Sequence, residues 1–323
     1  MKNKYSLKSS NVLYYFATIY LCIAIICGFL GYLICTDYTE NNNTQIPEIA
    51  LKNPGFVAWF LPKGNSEKRN IIKKWMHGDN SFVKPTLAKK GNENTVSRTF
   101  VLGTDKYGRD IYSRIIIGLR YTLLIGFASV FLSAIIGTLL GAISGYFGGI
   151  CDFVISFIIS IFWSLPTVLL AFIILLVFGK NFWSIFIAIG LTMWGDLARL
   201  VRGQVMAFKQ TNFVLAGKAL GFTNIRILVN HIFPNITGPI WIQLSANFAL
   251  AILLESGLSF LGLGLQPPIP TLGNIMQEQY SLIFSGKIIQ ALIPAIVVIL
   301  LILSFQLVTN HLRDKFDVKI AVK

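Results

Sequence analysis

Long runs without charged residues dominate the chain and predict helices that cross a membrane. A hydrocarbon core of about 30 Å needs roughly 20 apolar residues per helix, and six runs reach or approach that length. Strands of a membrane barrel are disfavoured, because such strands show alternating segments of only about ten residues. The predicted spans are residues 12–35, 121–146, 153–178, 183–203, 237–262 and 289–309.

Features inside and beside these spans predict how the helices bend and pack. Pro166 in the third span predicts a kink, since proline lacks the N–H that a helix interior uses. In the second span Gly137, Gly141 and Gly145 recur every four residues, which lines one helix face with small residues and lets another helix approach closely. Before that span, residues 101–120 predict an interfacial amphipathic helix, because Arg and Ser alternate there with Ile and Leu.

The connection between the fourth and fifth spans, residues 204–235, has the composition of short helices rather than of a loop. Thr211 and Asn212 can cap a first helix that continues to Leu220. Gly221 is predicted to end this helix in the left-handed conformation that glycine adopts readily.

A second short helix is predicted directly after this glycine. Thr223 can cap it, and it is expected to run from Asn224 to Phe233, where Pro234 would stop it. A helix–glycine–helix element beside a membrane is typical of a surface that docks into the groove of a partner protein. The apolar residues predicted to share one face of this second helix are Ile225, Leu228, Val229 and Ile232.

Charge is scarce in the chain and unevenly placed. Only 13% of the 323 residues are charged, against about a quarter in soluble domains, which largely excludes a soluble enzyme. Lys and Arg are expected to be enriched in segments on the cytoplasmic side of the membrane. A cytoplasmic N-terminus places twelve Lys and Arg on that side, against Lys180 and Lys287 in the short outer loops. The twelve are Lys2, Lys4, Lys8, Arg199, Arg202, Lys209, Lys218, Arg226, Arg313, Lys315, Lys319 and Lys323.

These patterns together predict five regions. A cytoplasmic N-terminus with a retained first anchor covers residues 1–36, since its apolar run is too long for a cleaved signal peptide. The extracytoplasmic loop over 37–100 carries ten basic against six acidic residues and is expected to be partly ordered, without a catalytic role. The interfacial helix over 101–120, a five-helix core over 121–310 and a cytoplasmic tail over 311–323 follow.

Residue types that support metal or nucleotide chemistry do not cluster in the sequence. The three His are scattered, no G-x-x-x-x-G-K-[ST] phosphate loop occurs, and the Cys have no metal or disulfide spacing. The chain is therefore expected to be no enzyme and to hold no metal or cofactor. The four Cys, interpreted as small apolar residues, are Cys22, Cys27, Cys35 and Cys151.

The helix–glycine–helix element resembles the EAA loop of ABC importer permeases. The distance of thirteen positions from Gly221 to Pro234 matches its spacing, whereas Leu215 and Gly217 stand where the family form has Glu and the second Ala. The resemblance implies that residues 211–234 couple to ATPase subunits. Its candidate coupling residues are Leu215, Ala216, Gly217, Gly221, Arg226, His231 and Pro234.

Further motifs resemble the C-type permease subunit of dipeptide, oligopeptide and nickel importers. A signature precedes the core, the run Arg199–Gln204 ends the fourth span, and the run Glu255–Gly264 ends the fifth. These matches extend in order over residues 102–310 and imply the all-α fold of a type I importer permease with six helices, N-in and C-in. The signature residues are Asp105, Gly108, Arg109, Asp110 and Arg114.

The resemblance also implies partners and a location. A second homologous permease subunit would complete the pathway, two ATP-binding subunits would hold ATP and Mg, and an extracytoplasmic solute-binding protein would deliver a di- or oligopeptide. The chain would cross the bacterial inner membrane several times. It would contact the lipid bilayer and would bind no nucleic acid. Nickel or another small solute is an alternative cargo within the same family.

Polar residues inside the spans leave other functions open. Asn247 and Glu255 are candidates for the translocation path, although Glu255 could instead hydrogen-bond to a neighbouring helix. Asp196 and Arg199 lie three residues apart and are predicted to pair. An ion- or proton-coupled secondary transporter would need several intramembrane ionisable residues and usually two similar halves, and a membrane scaffold without transport activity would not need the docking element.

Overall fold

The computed structural model of the chain describes residues 4–61, 74–75, 78, 86–88 and 95–321, with residues 4–11 and 315–321 described as helical backbone. The terminal charges Lys2 and Lys323 and the side chains of Lys4, Lys8, Lys315 and Lys319 lie outside this description. So does most of the stretch 62–94 within the loop predicted over 37–100.

Long apolar helices make up most of the described chain. Five helical stretches are long and apolar enough to cross a membrane among the described residues: Val12–Ile34, Ile111–Phe147, Phe182–Lys209, Asn224–Phe260 and Ile288–Asp314. The helices are α1 Lys4–Ile34, α2 Ile111–Phe147, α3 Gly149–Ser164, α4 Thr167–Phe178, α5 Phe182–Lys209, α6 Asn212–Ala219, α7 Asn224–Ile227, α8 Phe233–Phe260, α9 Leu272–Gln279 and α10 Ile288–Ala321.

The predicted third span is broken into two helices. α3 and α4 meet at an angle of 95° and count as a sixth span only if the pair is one span. Leu165 is extended, with φ −103° and ψ 139°, because a residue that precedes proline avoids the helical region. Pro166 then stands at the N-terminal cap of α4, so the predicted kink is a full break.

The predicted interfacial helix over 101–120 is not a separate element. Its second half forms the first turns of α2, which continues without interruption to Phe147. Ile111 and Ile117 in these turns are fully buried, so the turns pack as part of the long helix. Its first half is a turn in which Thr104 pairs with Asp110.

A small antiparallel sheet lies in the region predicted to be a partly ordered loop. Its strands, in the order β2-β1-β3, are β1 Phe56–Leu61, β2 Thr86–Ala88 and β3 Val96–Phe100. Trp59 pairs with Ala88 on one side and with Ser97 on the other. The buried apolar residues beside the sheet are Ile46, Ile49, Ala58, Phe60 and Phe100.

The chain divides into two compact units. The first unit comprises residues 1–19, 125–254 and 302–323, and the second comprises residues 20–124 and 255–301. The first unit contains α6, α7 and most of α8, whereas the second contains the sheet and α9.

Within the first unit, the glycines of α2 pack directly on the backbone of α5. A Cβ atom on Gly137 would lie 2.7 Å from the carbonyl oxygen of Trp194, and one on Gly145 would lie 2.6 Å from that of Arg202. A Cβ on Gly141 would overlap the carbonyl oxygen of Ala198. The close approach that the four-residue spacing predicts is therefore present between α2 and α5.

Candidate functional site

The docking element, residues 211–234, begins with a helix that ends as the sequence predicts. α6 follows the cap residue Thr211 and is closed by Gly221 with φ +77°. The N–H of Phe222 donates to the carbonyl of Gly217 at 3.1 Å and that of Gly221 to Lys218 at 3.0 Å. This pair of bonds is a Schellman motif, which needs the left-handed glycine.

The second half of the docking element differs from the prediction. The Thr223 hydroxyl accepts from the N–H of Arg226 at 3.4 Å and caps α7. A π-helical turn over Leu228–Ile232 then leads into α8 without a break, so the prediction that Pro234 ends the helix is wrong. The wider π turn, bonded five residues apart, leaves room for the proline ring and requires no N–H from it.

The apolar face predicted for the second helix is also divided. Ile232 is fully buried and Leu228 is half-buried, but Ile225 is 77% exposed and Val229 52% exposed. Ile225 and Val229 form a row four residues apart that points away from the unit. The sequence pattern assigned these two exposed residues to the same face as Leu228 and Ile232, which point toward the unit.

The buried side of the docking element is anchored in an apolar core of the first unit. Val214 and Ile227 are at most 1% exposed and pack with side chains of α2, α5 and α8. Gly217 is buried as well, against the ring of Phe222. The core residues that contact them include Tyr146, Leu197, Val201, Val205 and Ile236.

The outer side of the docking element carries exposed apolar side chains. We call the set Leu215, Leu220, Ile225 and Val229 the docking surface; these residues are 50%, 74%, 77% and 52% exposed. Ala216 is exposed beside Leu215, and Pro234 is exposed at the start of α8. Apolar side chains grouped on a polar-rimmed surface mark a site of protein interaction.

Basic and aromatic side chains border this surface. The Arg226 guanidinium lies 4.2 Å from the centroid of the Phe222 ring. The half-buried His231 ring lies 5.5 Å from the same ring, and its Nδ1 is 3.4 Å from the Arg226 carbonyl oxygen. Arg226 and His231 therefore hold the turn around Phe222, and Arg226 adds a positive charge beside the docking surface.

Three of the five signature residues, Asp105, Arg109 and Arg114, form a buried ion network in the second unit, and Glu278 is its fourth member. The Arg109 Nε donates to Asp105 at 2.6 Å and its Nη2 to Glu278 at 2.5 Å. The Arg114 Nη1 lies 3.2 Å from Asp105 and 2.6 Å from Glu278. Two guanidinium groups thus share two carboxylates. Sequence reasoning missed Glu278, because nothing near it in the sequence indicates a partner 164 or 169 residues away.

The other two signature residues have structural contacts in the same unit. Gly108 has φ +73°, and a Cβ there would overlap the carbonyl oxygen of Ile46, so another residue type would not fit. Asp110 accepts from the Ser113 hydroxyl at 2.5 Å and from Thr36, with Arg98 at 3.6 Å. The signature therefore fixes the chain at the N-terminal end of α2.

Glu255 is buried among hydroxyl groups of the second unit. It is 1% exposed and accepts from Ser259 at 2.8 Å, Thr122 at 3.1 Å and Ser256 at 3.4 Å. The Thr122 hydroxyl in turn accepts from the N–H of Leu272 at the start of α9. This arrangement favours the alternative in which Glu255 holds neighbouring helices together.

Asn247 of the first unit is fully buried. Its Oδ1 accepts from the Gln243 side chain at 2.9 Å, one turn earlier on α8. Its role in the translocation path stays a prediction.

The predicted pair of Asp196 and Arg199 is replaced by other contacts. The Arg199 guanidinium lies over the Trp163 ring, 3.5 Å from its centroid, and makes no ion pair with Asp196 within the described part of the chain. Arg202 makes the ion pair instead: its Nε and Nη2 donate to the two oxygens of Asp152 at 2.5 and 2.7 Å. The break before α3 brings Asp152 within reach of α5, which the sequence does not show.

Cys35, the first residue after α1, is expected to resist thiol reagents. Burial raises the pKa of its thiol to about 12, so the reactive thiolate is scarce at pH 8. At pH 8, N-ethylmaleimide should label the exposed Cys151 and leave Cys35 unlabelled until the protein is unfolded in detergent. Equal labelling rates, measured by mass spectrometry of the peptides, would contradict the buried site.

Comparison with known proteins finds membrane permeases. Residues 137–318 match the family model described as "Binding-protein-dependent transport system inner membrane component". The dipeptide transport system permease protein DppC of Lactococcus lactis subsp. cremoris is 34% identical over 322 residues, which cover 98% of this chain and 87% of that protein. The glutathione transport system permease protein GsiD of Escherichia coli O1:K1 is 35% identical over 219 residues, which cover 68% of this chain and 72% of that protein.

A solved structure supports the fold. The inward-facing MetNI methionine ABC transporter has a chain that aligns with a TM-score of 0.51 and 19% identity, over 62% of this chain and 95% of that one. At this identity the likeness concerns the fold alone. Together with the apolar helices, it confirms the predicted helical, polytopic membrane fold, to which the small sheet adds three strands that the sequence did not predict.

Proposed function

The chain belongs to the family of binding-protein-dependent transport system inner membrane components, and from this premise we propose that it forms half of the translocation pathway of an ATP-driven peptide importer. It is a multi-pass permease subunit of the inner membrane. A peptide cargo is supported by the relatives, one named for dipeptides and one for glutathione, itself a short peptide.

The structural observation that carries this proposal is the docking surface. The four large apolar side chains of the docking surface are each at least 50% exposed, on an element whose other side is anchored in the core. Complete burial of such a side chain stabilises an interface by about 1.5–3 kcal/mol at most. A secondary transporter offers no reason for such a surface, whereas a partner ATPase does.

The proposed partners follow from the division of labour within such an importer. A second homologous permease subunit completes the pathway, two ATP-binding subunits contact the two docking elements, and a solute-binding protein delivers the peptide from outside. ATP and Mg bind to the ATPase subunits, and this chain contributes no cofactor. The docking element and both termini lie on the cytoplasmic side.

Transport then works through a rigid-body change. ATP binding draws the ATPase subunits together, and the docking surfaces follow them. The spans alternate between inward and outward openings, because the ATP-bound and nucleotide-free partners bind the two states with different affinity. The permease performs no chemistry on the peptide.

Replacing Ile225 with aspartate should separate the permease from its ATPase subunits. The side chain is 77% exposed, so the free energy of unfolding should change by no more than about 0.5 kcal/mol, whereas a charge within an apolar interface prevents docking. Affinity purification of the tagged permease should recover the ATPase chains with the wild type and lose them, by at least about tenfold, with the variant.

The matched control is Val101→Asp, a similar change at a residue that is 50% exposed in the second unit. This variant should keep its ATPase chains.

In proteoliposomes the wild-type complex should take up labelled dialanine when ATP is inside, and an uncoupler should not stop the uptake. Uptake that needs no ATP but collapses with the uncoupler would support a secondary transporter instead.

A further inference from the structure

Tyr146 occupies the place where the docking element meets the C-terminal end of α2. It is 4% exposed and stands one residue before the end of that helix. Gly148 and Gly149 follow with φ +69° and +57°, so the helix ends at Phe147. All contacts described below lie within the first unit.

Three parts of Tyr146 contact three different helices. Its hydroxyl donates to the Asn224 Oδ1 at 2.8 Å, at the first residue of α7. Its main-chain carbonyl accepts from Lys209, the last residue of α5. The ring lies beneath two ammonium groups, with Lys209 at 5.5 Å and Lys218 of α6 at 5.7 Å from its centroid.

These contacts differ in kind from the apolar packing around them. The chain joins the docking element directly to α5 and α8, but not to α2. Apolar contacts such as those of Val214 with the core are non-directional and allow one surface to slide over another. A hydrogen bond loses its strength when its angle or length changes, so the Tyr146–Asn224 bond fixes the position of α2 relative to α7.

We propose that Tyr146 is a positioning residue that makes the C-terminal end of α2 follow the docking element when the ATPase subunits move. This inference rests on the proposed coupling to ATPase subunits. Because the glycines of α2 contact the backbone of α5, a displacement of its end is transmitted along a tightly packed helix pair. Without the hydroxyl, the docking element would move and α2 would lag behind it.

The test is hydrogen exchange of the complete complex, with and without ATP and vanadate. Tyr146→Phe removes the hydroxyl and keeps the ring beneath the two lysines. In the wild type, trapping with vanadate should change exchange by about fivefold in both residues 212–227 and residues 143–149. In the variant, residues 212–227 should respond as before, and residues 143–149 should change by less than about twofold.

Two further variants serve as controls. Asn224→Asp keeps an oxygen acceptor for the Tyr146 hydroxyl and should retain the response of residues 143–149, whereas Asn224→Ala should lose it. Tyr15→Phe removes a hydroxyl from a residue that is 63% exposed and should behave as the wild type.

The outcomes separate this inference from the proposed function. A Tyr146→Phe complex in which both segments respond, or in which neither responds, overturns the positioning role; the second result would show that the hydroxyl only supports the fold of the docking element. A wild-type complex in which residues 212–227 do not respond to ATP and vanadate would instead refute the coupling to ATPase subunits.

Discussion

Replacing Gly141 with leucine is expected to destabilise the first unit strongly. Even the Cβ of the new side chain would overlap the Ala198 carbonyl oxygen and lie 2.9 Å from the Val201 Cβ. α2 cannot move away from α5 without losing the contacts that Gly137 and Gly145 make with α5. Overpacking against fixed backbone should cost about 3 kcal/mol, the upper end of the usual range, seen as loss of monodisperse protein in detergent and a lower unfolding temperature.

The control for this change is Gly203→Leu in α5. A Cβ at Gly203 meets no atom within 4 Å, so this variant adds the same side chain to the same helix pair without a clash. It should be recovered in normal amounts. A Gly141→Leu protein that unfolds at the wild-type temperature would show that α2 and α5 are not in backbone contact.

The glycines show what local sequence rules can predict. Spacing by four residues specifies a helix face, and a small face has an evident use in close packing, so the contact of α2 with another helix followed from Gly137, Gly141 and Gly145. The stop at Gly221 followed in the same way, because the left-handed conformation has a strong residue preference. The rules did not say that α5 is the partner, which depends on the three-dimensional path of the chain.

Errors arose where an element departs from regular geometry. The π turn over Leu228–Ile232 changes the helical period, and a face assigned at 100° per residue therefore combined exposed Ile225 with buried Ile232. Pro234 was interpreted as a stop by a rule that holds for a regular helix interior. The sheet was missed because its strands have only three to six residues and lie within a polar region.

The candidate site was predictable in its location and only partly in its roles. Residues 211–234 form an element with one buried and one exposed apolar side, as a docking function requires. By contrast, Glu255 and the signature residues are held by partners that are distant in the sequence, such as Thr122 and Glu278. The charge of Glu255 inside a predicted span suggested a place in the pathway, but its contacts favour a structural role.

Asp105→Asn should strongly destabilise the second unit. Asp105, Arg109 and Arg114 have side chains that are at most 3% exposed, and the native network of two carboxylates and two guanidinium groups has no net charge. The substitution leaves one uncompensated positive charge and directs an amide N–H₂ group at two guanidinium donors. Removing one partner of a buried ion pair costs about 3–5 kcal/mol.

This cost can be assigned to charge rather than to shape by a compensating variant. Asp105→Asn combined with Arg114→Met restores zero net charge and should recover part of the lost free energy of unfolding, because a buried pair replaced on both sides is often close to neutral. Glu48→Gln, the same kind of change at an exposed position, should remain within about 0.5 kcal/mol of the wild type. Unfolding of the detergent-solubilised protein, followed by tryptophan fluorescence, measures all three. If Asp105→Asn and Glu48→Gln are equally stable, the network does not fix the N-terminal end of α2, and its polar groups would have to be accessible to water.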